Sequence, residues 1–408
     1  MRVVFFAQQM PDPCGAFFHD IVLARALKAK GHTVTFVTMK NMPRRGEYRG
    51  IPFVNYIVAG NELEKADIWN SPHYPFLSTV RKLNEKFEKP LVIVMHYGED
   101  RKNIETCTRT GQWAEFLWVV SNHIREKITK MASSIVDTYV VRPTFIESET
   151  RFRLAPERSE GVCITLINAN LLKGLGIFVD LAKRFPERKF LGVKPYYNIV
   201  QVPTNIPNIE WIDFQDDIRV VLKRTRVLIV PSYYESWGRV AFEAMLNGIP
   251  VLYSRPHDES TFTTGSTEGM RDWIQDNGIQ CDRRSLDDWV AGIISLDAPD
   301  VYNDYSDRAY KCTNDMNIFT EIPTIEQKFY NYAVRYAPAS KSKTTDTSSS
   351  APGGVPRLVM PGMMSMPGRR RPAPSAAPAA AAPVAAPTAA PPTVARMGFV
   401  AGRFGVRR

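Results

Sequence analysis

The stretch Pro231–Ser254, PSYYESWGRVAFEAMLNGIPVLYS, sets two glutamates, Glu235 and Glu243, on either side of a glycine, Gly238. Before it runs RVLIV (226–230), short, apolar and β-branched, which reads as a buried strand. Pro231 and Ser232 end that run. GRVAFEAMLNG (238–248) then spaces Val240, Ala241, Ala244 and Met245 as a helix does, and Gly248 and Pro250 stop it before the strand-like VLYS. The unit is therefore strand, loop, helix, strand. A glycine at the loop lets a ligand approach the backbone closely, and unpaired N–H groups at a helix start attract phosphate. Carboxylates accept hydrogen bonds from vicinal hydroxyls. Two of them around an anion site suit a ligand with phosphate at its centre and hydroxyl-rich groups at both ends, as in a sugar nucleotide. An ordinary amphipathic helix also carries glutamates at such a spacing, so the spacing alone does not decide.

The 408 residues leave room for two domains with extra segments. Five scattered cysteines without a Cys-x-x-Cys pair argue against a disulfide framework and against a zinc site. The opening MRVVFFAQQM is too short an apolar run for a signal peptide, and no stretch has the length of a transmembrane span. A reducing, cytoplasmic setting is the simplest expectation. The net charge of +10 is carried almost wholly by residues 338–408, which hold ten Lys/Arg against the single acid Asp346. That segment, with SAAPAAAAPVAAPTAAPPT at its middle, cannot build a packed core and is expected to be a disordered tail. Its basicity suits an anionic surface or a protein partner. The nearly neutral body gives no reason to expect nucleic acid as a partner.

The body alternates strand-like and helix-like runs. RVVFFA (2–7), TVTFVTM, ADIWNS, LVIVMHY, FLWVVS and DTYVVR read as strands, with the helix IVLARALKAKG after the loop that holds Gly15. Residues 144–160 are polar and irregular, an expected linker. VCITLINAN, RKFLGV, IEWID and RVLIV then renew the alternation. The expected fold class is α/β, with two Rossmann-like doubly wound domains over 1–150 and 151–322. A ligand cleft would lie between the carboxyl ends of their sheets. Residues 323–337 would form a further helix.

Several residues fall at those carboxyl ends. Gly15 follows the first strand. His96 ends LVIVMH, where it suits either a ligand contact or a structural histidine; His73 in SPHYP reads as structural. Lys173 in NANLLKG begins a helix, where its charge suits pyrophosphate.

Together these segments resemble the retaining GT-B glycosyltransferases of family four, over about residues 1–335. The resemblance rests on Gly15 with LARALKAKGHTVTFVT, His96 in VIVMHYGED, VVSNHIREKI, Lys173–Gly174, FLGV and the Glu-x7-Glu segment ESWGRVAFE. It implies that Glu235 binds hydroxyls of the transferred sugar and that Glu243 holds the nucleotide ribose. Backbone N–H groups around Ser236, Trp237, Gly238 and Arg239 would meet phosphate or sugar. Lys173 would neutralise the departing pyrophosphate, His96 would touch the donor sugar from the opposite domain, and Gly15 would line the diphosphate and acceptor side. IPTIEQKFYNYAVRY resembles the final helix that crosses back to the first domain. One departure stands out: where many members carry an arginine before the lysine, this chain has Asn168 and Asn170.

The implied reaction is transfer of a sugar from a nucleotide-sugar donor to a hydroxyl acceptor such as a glycan, with the anomeric configuration retained. No Asp-x-Asp is present to bridge a metal to the diphosphate, so no cofactor and a metal-independent reaction are expected. A sugar-nucleotide epimerase or a phosphorylase on a similar scaffold is the alternative enzyme. A non-catalytic scaffold acting through its basic tail is the alternative outside catalysis.

Overall fold

The computed structural model describes residues 1–40, 43–98, 101–109, 111, 113–132, 138–153, 161–196, 200–256 and 267–336. The apolar runs become strands of two sheets. The first sheet holds β1 (Arg2–Ala7), β2 (Thr33–Thr38), β3 (Arg45–Tyr48), β4 (Ile51–Asn55), β5 (Ile68–Pro72), β6 (Leu91–Met95), β7 (Glu115–Val119) and β8 (Thr138–Val140). Their order is β3-β4-β2-β1-β5-β6-β7-β8. The second sheet holds β9 (Cys163–Ile167), β10 (Lys189–Val193), β11 (Ile209–Ile212), β12 (Thr225–Val230), β13 (Val251–Ser254) and β14 (Ile279–Cys281), in the order β11-β10-β9-β12-β13-β14.

The second sheet is parallel throughout, as its near-continuous apolar strands require when helices cover both faces. The first departs from that at one edge, where β3 pairs antiparallel with β4. The two are joined by Arg49 and Gly50, both at positive φ (49° and 76°), the backbone that a two-residue hairpin loop demands. The alternation seen in the sequence thus yields two doubly wound α/β units.

The helix after β1 is longer than its apolar pattern suggests. It runs Gly15–Ala29, so Gly15 is its first residue and not a loop residue. Polar His19 and Asp20 hid this first turn. Both are buried and bonded: His19 Nδ1 accepts from Thr144 N–H at 3.1 Å, and Asp20 Oδ1 accepts from Asn70 Nδ2 at 3.1 Å.

The helix Glu321–Arg335 lies on the first sheet. Phe329, fully buried, stacks on Trp118 with ring centroids 4.9 Å apart and meets Phe5 edge-on, while Tyr332 stacks on Phe116 at 3.6 Å. Burying one such aromatic contributes about 1.5–3 kcal/mol. Of the expected linker, residues 144–153 carry the short helix Glu147–Thr150, and 154–160 lie outside the described residues, as does the basic segment 338–408. Among the described residues no helix is long and apolar enough to cross a membrane, and all five cysteines are free.

Candidate active-site cleft

The order of each sheet reverses at its first strand. β1 lies between β2 and β5, and β9 lies between β10 and β12. Connections leaving the carboxyl ends there run to opposite faces and open a crevice for ligand. A cleft of about 1020 Å³ occupies this position, and all eleven residues singled out from the sequence line it: Gly15, His96, Asn168, Asn170, Lys173, Glu235, Ser236, Trp237, Gly238, Arg239 and Glu243. His73 does not.

Lys173 and Glu235 meet. The loop after β9 forms a single 3-10 turn, Leu171–Lys173, so Lys173 ends that turn instead of opening a helix; the helix Leu175–Arg184 starts after Gly174. Gly174 has φ +83°, and a Cβ there would lie 2.4 Å from the Pro231 carbonyl oxygen, so only glycine lets the β9 and β12 loops come this close. Lys173 Nζ then donates to Glu235 Oε1 at 2.5 Å, and Ser232 Oγ donates to the same oxygen at 2.7 Å. Both donors converge on Oε1, and Oε2 has no hydrogen bond among the described residues. Asn168 and Asn170 build this loop. Asn168 takes φ +63°, Asn170 Nδ2 donates to its carbonyl and side-chain oxygens, and Asn170 Oδ1 caps Lys173 N–H at 3.1 Å. The pair therefore spends much of its hydrogen bonding on placing Lys173.

The helix Arg239–Met245 follows Gly238, whose φ is +80° and whose Cβ, if present, would lie 2.6 Å from Met270 Sδ. Its end is a glycine stop: Gly248 N–H bonds the Met245 carbonyl and Ile249 N–H bonds the Ala244 carbonyl, with Gly248 at φ +66°. Glu243 is buried within this helix. Burial pushes its carboxyl above the usual range, and Arg239 opposes that by donating Nε to Oε1 at 3.1 Å. The Trp237 ring belongs to the core, stacked on Trp273 at 5.1 Å, while its carbonyl accepts from Trp273 Nε1 at 2.7 Å. At the start of the helix the N–H groups of Ala241 and Phe242 both bond the Gly238 carbonyl, at 3.0 and 3.2 Å.

From the first sheet, His96 reaches the cleft at the end of β6. Its ring meets His19 edge-on at 5.3 Å, and its backbone N–H donates to His73 Nδ1 at 3.3 Å. Burial, with His19 and His73 beside it, holds His96 well below the usual histidine range, and burial lowers His19 to about 3. His96 is thus a neutral imidazole at physiological pH. His73 is a structural partner in this group.

Sequence reasoning missed Ser232, Thr144 and His19, and also Tyr97 and Tyr234, whose rings meet across the cleft at 4.7 Å. Ser232 could have been found three residues before Glu235 in the decisive stretch; the others join segments too distant for any spacing rule. Further cations, Arg25, Arg49, Lys194 and Arg219, line the cleft, each held by a carboxylate: Glu149, Asp216, Asp213 and Asp217. Among the described residues no three His, Cys, Asp or Glu side chains converge as a metal site.

Comparison with known proteins agrees with this geometry. Residues 195–311, which include Glu235 and Glu243, match the family described as "Glycosyl transferases group 1". A search of curated proteins finds no match. Among solved structures, HepE of Anabaena in complex with UDP-glucose superposes with a TM-score of 0.65 at 14% identity, over 80% of this chain and 99% of its own. Sucrose-phosphate synthase from Thermosynechococcus elongatus gives 0.63 at 13% identity, over 81% and 99%. A glycosyltransferase from Rickettsia africae gives 0.59 at 13% identity, over 81% and 98%. The chain thus has the GT-B fold, and the segment bearing its two cleft glutamates is similar to group 1 glycosyl transferases.

Proposed function

We propose that the chain is a glycosyltransferase that moves a sugar from a nucleotide-sugar donor to a hydroxyl acceptor, retains the anomeric configuration and needs no metal. The observation that carries this reading is the convergence in one cleft, at both switch points, of Glu235 with Lys173 and Glu243 with Arg239. The family match over residues 195–311 and the UDP-glucose bound by HepE support the donor class.

In this reading Glu243 accepts the ribose hydroxyls and Glu235, through Oε2, accepts hydroxyls of the donor sugar. The diphosphate lies between them, against Lys173 and the backbone of the Ser236–Arg239 turn. The bond from the anomeric carbon to the diphosphate oxygen breaks as negative charge grows on that oxygen. Fixed positive potential stabilises the growing charge without reorganisation. The acceptor oxygen bonds the anomeric carbon from the face that the phosphate leaves, and its proton passes to the departing phosphate. His96, neutral, hydrogen-bonds the sugar and takes no proton.

The test is a thermal-shift screen with UDP-, GDP- and ADP-sugars, since a donor that binds only the folded chain raises its melting temperature by mass action. Turnover of the selected donor in excess EDTA follows, with NMR of the product's anomeric proton. A retained configuration with activity intact in EDTA is expected. Activity lost in EDTA and restored by manganese overturns the metal claim, and an inverted product overturns retention.

A further inference from the structure

Glu243 is held by a group that is itself held from outside its helix. Arg239 stands one turn before it, and its Nε reaches Glu243 Oε1 at 3.1 Å. The same guanidinium donates Nη1 to the Thr144 carbonyl at 2.8 Å and lies over the Phe145 ring, its central carbon 4.0 Å from the centroid. Thr144 is fixed in turn. Its N–H bonds His19 Nδ1 at 3.1 Å, and its Oγ1 donates to the His19 carbonyl at 2.7 Å. His19 packs edge-on against His96. One contiguous series of contacts, His96, His19, Thr144, Arg239, Glu243, therefore joins the histidine that enters the cleft from the first sheet to the carboxylate that enters it from the second.

We propose that Arg239 is a positioning residue for ribose recognition: docked on Thr144 and Phe145, it fixes the orientation in which Glu243 accepts the ribose hydroxyls. The inference rests on the nucleotide-sugar reading above. Its physical basis is that a solitary pair at this helical spacing is weak and loses its geometry readily. Here the arginine cannot follow its own helix alone. A planar guanidinium places its donors in a rigid fork, so anchoring Nη1 on the Thr144 carbonyl fixes the direction of Nε as well. Glu243 Oε1 is thereby occupied, and Oε2 has no hydrogen bond among the described residues. Lysine, a point charge on a flexible stem, cannot hold both partners in that fixed relation.

Calorimetry on the full chain tests this with UDP, GDP and ADP, each beside its 2′,3′-dideoxy counterpart. For the nucleotide that binds, Arg239→Met is expected to weaken the ribose form by about tenfold to a hundredfold, the scale of a hydroxyl bonded to a charged group, and to leave the dideoxy form unchanged. Arg239→Lys is expected to lose less, again only on the ribose form, and it carries the test if the methionine variant fails to fold. Equal losses on both forms, or no loss, overturn the proposal. If the wild-type chain binds none of the six nucleotides, the functional reading falls and the inference with it, a result distinct from equal losses in a chain that does bind.

Discussion

Lys173 Nζ lies 2.5 Å from Glu235 Oε1, so the cation expected to face the leaving group and the carboxylate expected to face the sugar form one unit. The loops of β9 and β12 bring them together. Removing one partner leaves the other buried or half-buried without its counter-charge. Lys173→Ala and Glu235→Ala should each lower kcat by about tenfold to a hundredfold. The double variant should lose less than the product of the two, because groups in direct contact are not additive. A double-mutant cycle on kcat checks this, and additive losses would show that the contact does not operate during turnover.

Glu243→Ala should act on affinity where Glu235→Ala acts on rate. Glu243 sits on the ribose side of the proposed donor, so its loss should weaken nucleoside diphosphate binding by about tenfold to a hundredfold. Glu235→Ala should leave that affinity within about threefold of wild type, since the diphosphate product carries no sugar for it to hold. Calorimetry with the nucleoside diphosphate separates the two, and equal affinity in wild type and Glu243→Ala would refute the ribose assignment.

Gly238→Ala should be damaging although it adds one methyl group. The backbone there has φ +80°, and the new Cβ would lie 2.6 Å from Met270 Sδ. The left-handed conformation alone costs an L-residue about 1–2 kcal/mol. A urea midpoint lowered by at least that equivalent, together with weaker donor binding, is expected; a midpoint equal to wild type would contradict the assigned backbone.

Acid should destabilise the chain through His19. Its folded pKa, about 3, lies below the ordinary histidine value because the ring is buried. Above that ordinary value neither state is protonated. As pH falls below about 6.5 the unfolded chain takes up a proton that the native state lacks, so stability declines by up to about 1.4 kcal/mol per pH unit from this residue. Asp20, raised by burial to about 8, acts in the opposite sense: it loses stability as pH rises from about 4 to 8. The comparison is therefore made between wild type and His19→Asn. The variant is expected to be less stable at pH 7, yet to lose about 1 kcal/mol less than wild type between pH 6 and pH 5, by urea denaturation. Identical losses would mean that His19 titrates normally.

Phe329→Ala should cost about 3–5 kcal/mol, since the ring is fully buried between Trp118 and Phe5. Chemical denaturation measures this directly, and a loss below about 1 kcal/mol would show that the helix Glu321–Arg335 is not a true part of the first core.

Much of this architecture was legible because strong local signals carry it. RVLIV, LVIVM and CITLI are apolar enough to be central parallel strands whatever surrounds them, and the glycine and proline after Glu243 mark a helix end without tertiary help. Where tertiary partners decide, reading the sequence failed. His19 and Asp20 look like loop residues until Thr144 and Asn70 are seen to satisfy them. The β3–β4 hairpin was missed because RGEYRG is polar and its strands are short. In the cleft, every residue singled out lies on the wall, yet the pairings were invisible: Lys173 with Glu235 and Arg239 with Glu243 are set by which loops meet, which no spacing encodes. The asparagine pair was legible as a departure from the expected arginine, but its work in shaping the Lys173 loop was not.

The helix Glu321–Arg335 completes the core of the sheet that the chain forms first. Among the described residues, Phe116 meets its ring partners, Tyr332 and Tyr336, only after the whole second sheet has been made, and Trp118 and Phe5, which already touch Tyr139 and Phe36, are covered by Phe329 at the same late stage. During synthesis the first sheet therefore leaves the ribosome with an apolar face uncovered, and that face stays open until the last described helix emerges. Early release of the chain, or a stop codon shortly before residue 321, would leave a sticky intermediate and not a folded half, so such products should appear in cells as aggregates or as clients of chaperones.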